Sequence, residues 1–115
     1  MLLIYSEPGL GPEPGTPEFD AQMPRWTDFT QQLIDKGAFV AGDPLQAIET
    51  ATTVRERGGR VLHTDGPFAE TKEQLGGYYL IDVEDLDEAL AWAARVPNVG
   101  YGSIEVRPLV DFPMP

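Results

Sequence analysis

The side chains best suited to acid/base chemistry crowd into residues 63–78: His63, Asp65, Glu70, Lys72, Glu73 and Tyr78. Asp65 could take a proton from a substrate or accept a hydrogen bond from a ligand hydroxyl. His63, the one histidine of the chain, is the side-chain type that titrates nearest neutral pH. Lys72 is the group to hold an anionic substrate or to pair with Asp65, and Glu70 is the second choice as base or orienter. Each also has a structural reading. His63 fits an exposed strand edge, Asp65 an Asp-Gly-Pro turn that accepts from backbone N–H groups, and the charges at 70–73 a solvated run. Trp26 and Tyr78, each with a polar tip on an apolar ring, could line a pocket or simply pack. Phe68 is either an anchor under its loop or a ligand contact.

Other chemistries find no residues to carry them. With no cysteine and one histidine, neither a thiolate nor a histidine metal site can be assembled, so no metal and no cofactor is expected. Gly58-Gly59 and Gly76-Gly77 lack the spacing of a phosphate loop, and no G-x-S-x-G nucleophile elbow occurs. Nineteen acidic against eight basic residues give a formal charge of −11. A surface of that sign repels phosphate backbones, so direct nucleic-acid binding is not expected. The opening MLLIYSEPG has no basic leader, and its apolar run is too short for a signal peptide or a membrane span. The expectation is a soluble, cytoplasmic protein. At 115 residues, one domain covering 1–115 is expected.

The elements that must position these residues can be read from periodicity. Residues 2–6 suit a short buried strand, and the Pro/Gly-rich stretch 7–17 a flap over one end of a sheet. Phe19, Met23, Trp26, Phe29, Leu33 and Ile34 share one helical stripe. Pro24 falls opposite that stripe, so a kinked but nearly continuous helix is predicted, closed by Gly37 at the C′ position. A strand follows at 38–41, with Gly42-Asp43-Pro44 as a turn. Residues 51–57 and 60–65 flank Gly58-Gly59 as a two-residue hairpin. That register pairs Arg57 with Arg60, Val54 with His63 and Thr52 with Asp65. One face then carries Thr52, Val54, Glu56, Val61, His63 and Asp65, which would make His63 and Asp65 neighbours.

Residues 70–73 suggest one or two helical turns, and 78–83 a buried strand. Asp85 and Glu88 resemble a capping box for a helix burying Leu86, Ala89, Leu90, Ala93 and Ala94, with Trp92 and Val96 flanking. Residues 102–110 would form the last strand. The order β-α-β-β-α-β with an added hairpin describes an α+β, ferredoxin-like sandwich with two helices on one face of an antiparallel sheet. Val54, Leu62, Tyr79 and Ile81 offer more apolar surface than two helices cover, which predicts a homodimer.

The run Thr64-Asp65-Gly66-Pro67-Phe68-Ala69-Glu70-Thr71-Lys72-Glu73, followed by Gly76-Gly77-Tyr78, resembles the DGPF group of the YCII-related family. So do MLLIY, GAFVAGDPL, ATTVR, DEALAWAARVP and SIEVRP, so that the resemblance spans almost the whole chain. It implies a dimeric α+β barrel of two sheets packed face to face. It also implies membership of a group of small acid/base enzymes that includes a dehydrochlorinase of chlorinated aromatics. DGPF members are often encoded beside extracytoplasmic-function sigma factors, which suggests a regulatory connection. The wider family pairs a histidine on the first helix, about eleven residues before its closing glycine, with an aspartate. Counted back from Gly37, that position holds Trp26, whereas the aspartate resembles Asp65. Two functions remain open. One is a cofactor-free lyase or isomerase acting on a small molecule. The other is a non-catalytic dimer that binds a ligand or a protein in a sigma-factor circuit.

Overall fold

A computed structural model describes residues 1–69 and 71–111. The elements are β1 (Leu2–Ser6), α1 (Pro17–Asp35), β2 (Phe39–Pro44), a single 3-10 turn (Ile48–Thr50), β3 (Thr52–Arg57), β4 (Arg60–Asp65), β5 (Gln74–Ile81), α2 (Leu86–Ala93) and β6 (Gly102–Val106). Four strands form an antiparallel sheet in the order β2-β5-β1-β6. The hairpin β3–β4 is a separate two-stranded sheet. The molecule is α+β, and this order is compatible with a ferredoxin-like arrangement into which the hairpin is inserted. No helix among the described residues is long and apolar enough to cross a membrane.

Helix α1 is closed at both ends by its own sequence. The Thr16 side chain accepts from the Phe19 N–H at 3.2 Å, and Pro17 occupies the first turn, where its missing N–H costs nothing. At the other end Ala38 N–H donates to the Leu33 carbonyl and Gly37 N–H to that of Ile34, both at 2.9 Å. This is a Schellman closure, and the φ of +70° at Gly37 is one that glycine adopts without strain. Pro24 lies inside the continuous helix, exposed on the side away from the sheet. In α2, Asp85 accepts from Glu88 N–H at 2.8 Å and the Glu88 carboxylate accepts from Glu84 N–H at 3.0 Å. The capping box is therefore reciprocal, with its return bond one residue early.

The core lies between both helices and one face of the sheet: Leu2, Ile4, Phe29, Leu33, Ala38, Tyr79, Trp92, Ala93 and Val96. Phe29 meets Tyr79 and Trp92 edge-on, with ring centroids 5.3 and 6.0 Å apart. Tyr79 and Ile81 pack with this core, so they are not part of the uncovered face to which the apolar count assigns them. Strand alternation gives that helix-free face Leu3, Tyr5, Tyr78 and Leu80 instead, all half-buried.

Four local expectations differ from what forms. Gly42, Asp43 and Pro44 continue β2 rather than turning, because β5 begins at Gln74 and supplies partners as far as Pro44. β2 is an edge strand, the position where a proline is tolerated. Residues 71–73 are loop, not helix. Helix α2 buries Ala89, Trp92 and Ala93 while Leu86 and Leu90 stay exposed. The large Trp92 ring, lodged against Phe29, sets the helix rotation over its two leucines. The last strand stops at Val106, short of 110.

Candidate functional site

The apolar stripe of α1 is wider than its contact with the sheet. Phe29 and Leu33 are buried in the core, but Met23 and Ile34 remain about half exposed and Trp26 is half-buried. Together with Phe19 they form one wall of a cavity of about 600 Å³, in the size range of small-molecule sites. The opposite wall is the sheet at Ile4, Gly42, Gly76, Gly77 and Tyr79. Glycines pave this floor for steric reasons. A Cβ on Gly77 would lie 3.0 Å from the Asp43 carbonyl, and one on Gly42 would lie 2.7 Å from the Tyr79 ring.

Residues of the loop 7–16 roof one end, through Leu10 and Pro12. Gly11 has φ +80°, and a Cβ there would run into the ring of Tyr101. The loop therefore rests backbone-first on an aromatic that itself lines the cavity.

Polar groups on these walls are mostly neutral. Thr30 Oγ1 and the Tyr79 hydroxyl share a 2.6 Å hydrogen bond, and Gln22 Nε2 donates to the Tyr101 hydroxyl at 2.7 Å. Among the described residues Asn98 is the buried polar one, 3% exposed. Its Nδ2 donates to the Tyr5 carbonyl at 3.3 Å, and its Oδ1 is buried without a partner. The charged residue along the lining is Asp43, whose Oδ2 accepts from the Tyr78 hydroxyl at 2.8 Å. The pair sits cross-strand between β2 and β5, with both side chains on the helix-free side of the sheet. That hydrogen bond, with the carboxylate charge beside it and slight desolvation, holds the Tyr78 hydroxyl above its ordinary pKa of 10.0.

The arm formed by β3 and β4 carries the residues with the strongest chemical claims from sequence. Its register pairs Thr52 with Asp65, Val54 with His63 and Arg57 with Arg60, as the two-residue turn requires. Gly58 and Gly59 take φ values of 59° and 77°, as such a turn demands. Every residue of β4 is exposed. His63 and Asp65 thus share a face, but one turned to solvent, and neither borders the cavity.

The DGPF turn is stitched back onto the arm from β3. Gly66 N–H donates to the Ala51 carbonyl at 2.7 Å, the Thr53 hydroxyl to the Gly66 carbonyl at 2.8 Å, and Arg55 Nη2 to the Phe68 carbonyl at 3.0 Å. Phe68 is 79% exposed. Lys72 is exposed too and reaches Glu7 in the N-terminal loop at 3.9 Å. Glu70 lies outside the described residues.

Of the residues singled out from sequence, Trp26 and Tyr78 line the cavity, whereas Asp65, His63, Lys72 and Phe68 do not. Asn98, Tyr101, Gln22, Thr30 and Asp43 escape a linear reading. Each is an ordinary turn, helix or strand residue locally, and only the approach of distant segments gives it a role. Asn98 and Tyr5 are 93 positions apart.

The chain is similar to known proteins over nearly its whole length. The YCII-related domain model matches residues 1–113. An uncharacterised protein of Rhizobium meliloti (strain 1021) is 56% identical over 110 residues, which cover 94% of this chain and 89% of that protein. The chain belongs to the YCII-related domain family.

Proposed function

We propose that this protein binds a small, uncharged, largely apolar molecule in the cavity between α1 and the sheet. The observation that carries this reading is the cavity itself. Its walls are aromatic and aliphatic, its polar groups are neutral apart from Asp43, and a glycine-bearing loop roofs it. A lysine, arginine or histidine to neutralise an anion is absent from its described lining. The test is thermal-shift and calorimetric screening with uncharged bicyclic aromatics such as 2-naphthol. Saturable binding that is lost in Thr27→Trp, which fills the cavity from α1, supports the reading. Undiminished binding by that variant overturns it.

The cofactor-free enzyme reading, a lyase or isomerase, rests on a different pair from the one the sequence suggests. Asp43 and Tyr78 couple a carboxylate to a hydroxyl of raised pKa, a base beside a proton donor, with both side chains on the helix-free side of the strands whose other face floors the cavity. Turnover of a bound aromatic that vanishes in both Asp43→Asn and Tyr78→Phe would support it.

The homodimer belongs to the same proposal, as does placement with the DGPF-motif group through Asp65-Gly66-Pro67-Phe68. Leu3, Tyr5 and Leu80 form a half-buried apolar strip on the helix-free face, which a second copy would cover to make the dimeric barrel. Light scattering should give a dimer mass for the wild type and a monomer mass for Leu80→Asp.

A further inference from the structure

The arm β3–β4 is built as one half of a contact. Neither strand pairs beyond the other. Among the described residues, the hydrogen bonds that leave the two strands go to Gly66 and Phe68 of the turn that follows them. A lone two-stranded hairpin is marginal in water unless something packs on it. Yet Val54 and Val61 on one face are 62% and 63% exposed, Leu62 on the other is 46% exposed, and Phe68 beyond the strands is 79% exposed.

Shape and charge point the same way. A compact chain of 115 residues has a radius of gyration of about 13 Å, whereas this one has 16.4 Å and measures 49 × 45 × 20 Å. A sheet with one layer of helices already fills about 20 Å, so the arm extends within the slab and folds over neither face. Residues 52–65 hold Arg55, Arg57 and Arg60 against Glu56 and Asp65, a net +1 that leaves −12 on the rest of a chain of −11. A basic arm fits an acidic partner, and the body of a second copy is one.

We infer that the arm grips a second copy of this chain along the edge of that copy's helix-free face. Leu3, Tyr5 and Leu80 give that face an apolar centre, and Asp43 on β2 and Glu105 on β6 put a carboxylate at each edge. The arm leaves the sheet after β2 and returns into β5. Six residues per strand give it a reach of about 20 Å, which brings a copy stacked on the helix-free face within range. Arg57 and Arg60, on either side of the turn, meet the carboxylates, and a two-fold axis makes the grip mutual. The cavity lies on the other side of the sheet and stays open. This inference rests on the homodimer proposed above and adds a second contact to it, made by the inserted hairpin.

The experiment has two arms. The chain has no cysteine, so Glu56→Cys carries a single nitroxide on the hairpin. Spin-labelled protein is mixed with isotope-labelled wild type, and line broadening is read on the isotope-labelled copy alone. Broadening at Asp43, Leu80 or Glu105 of that copy supports the inference. In sedimentation equilibrium, Arg57→Glu combined with Arg60→Glu should weaken the dimer about tenfold or more, since each charge is met twice. Sharp lines beside a dimer mass, or an unchanged dissociation constant in the double variant, overturn the inference and leave the sheet-to-sheet dimer standing. A monomer mass for the wild type overturns both. Should the double variant not fold, the spin-label result decides alone.

Discussion

The arm and the cavity divide the molecule's chemistry in opposite ways. The arm, β3–β4 with the turn after Asp65, carries charged and titratable groups that face water. The cavity between α1 and the sheet is enclosed mainly by neutral and aromatic ones. In the arm, Val54 and Val61 are more than 60% exposed beside His63 and Asp65. In the cavity, short hydroxyl hydrogen bonds sit among aromatic rings. Charge is inexpensive in water and costly in an apolar enclosure. Motif density along the chain therefore measures turn-building as much as chemistry: the DGPF run spends its backbone groups on Ala51, Thr53 and Arg55.

The largest expected effect separates the two regions by stability. Leu33→Ala, at a fully buried position, should cost about 2–5 kcal/mol in urea denaturation. Val54→Ser on the arm, in the monomeric Leu80→Asp background, should change stability by less than about 0.5 kcal/mol. Comparable losses would mean that the arm packs on its own protomer.

Next in size is the roof. Gly11→Ala combines a left-handed φ with a collision against Tyr101, so it should lift the loop and weaken 2-naphthol about tenfold or more by calorimetry. Unchanged affinity would show that the loop does not close the site. A smaller contrast comes from the arm. His63→Ala and Asp65→Asn should alter 2-naphthol binding by less than about twofold, since the effect of distant sites on one another is small. If a reaction is found and Asp65→Asn abolishes it while sparing binding, the chemistry moves to the arm.

The smallest effect is a titration. The carboxylate of Asp43 favours protonated Tyr78, so the folded-state pKa lies above the unfolded one. The associated stability is fully present below the ordinary pKa of 10.0 and is lost as pH rises through the higher folded value. Asp43→Asn should bring the Tyr78 transition back toward that ordinary value, read as tyrosinate absorbance against a Tyr78→Phe control.

Sequence was most informative where one short segment decides its own structure. Gly37 closes α1, Asp85 and Glu88 start α2, and Gly58-Gly59 sets the arm register, because each works through bonds within a few residues. The start of α1 is different: Pro/Gly content assigns Thr16-Pro17 to the preceding loop, whereas Thr16 caps the helix and Pro17 begins it. The same reasoning turns the chain at Gly42-Asp43-Pro44 and begins at Tyr78 a strand that starts at Gln74 and includes Gly76-Gly77. The turn propensity of Gly42-Asp43-Pro44 is outweighed by strand partners more than thirty residues away. It also misplaced the rotation of α2, which Trp92 settles by packing on Phe29.

By itself, then, the chain determined its helices, its hairpin register, its lack of cysteine and metal-ligand histidines, and a signature of its family. Those properties follow from local geometry and composition. Only the tertiary structure decided that His63 and Asp65 face water, that Trp26 borders a cavity, and that Asn98 is buried against the Tyr5 carbonyl. The reason is physical: burial belongs to segments that meet across the fold, and a side chain's chemistry follows its burial.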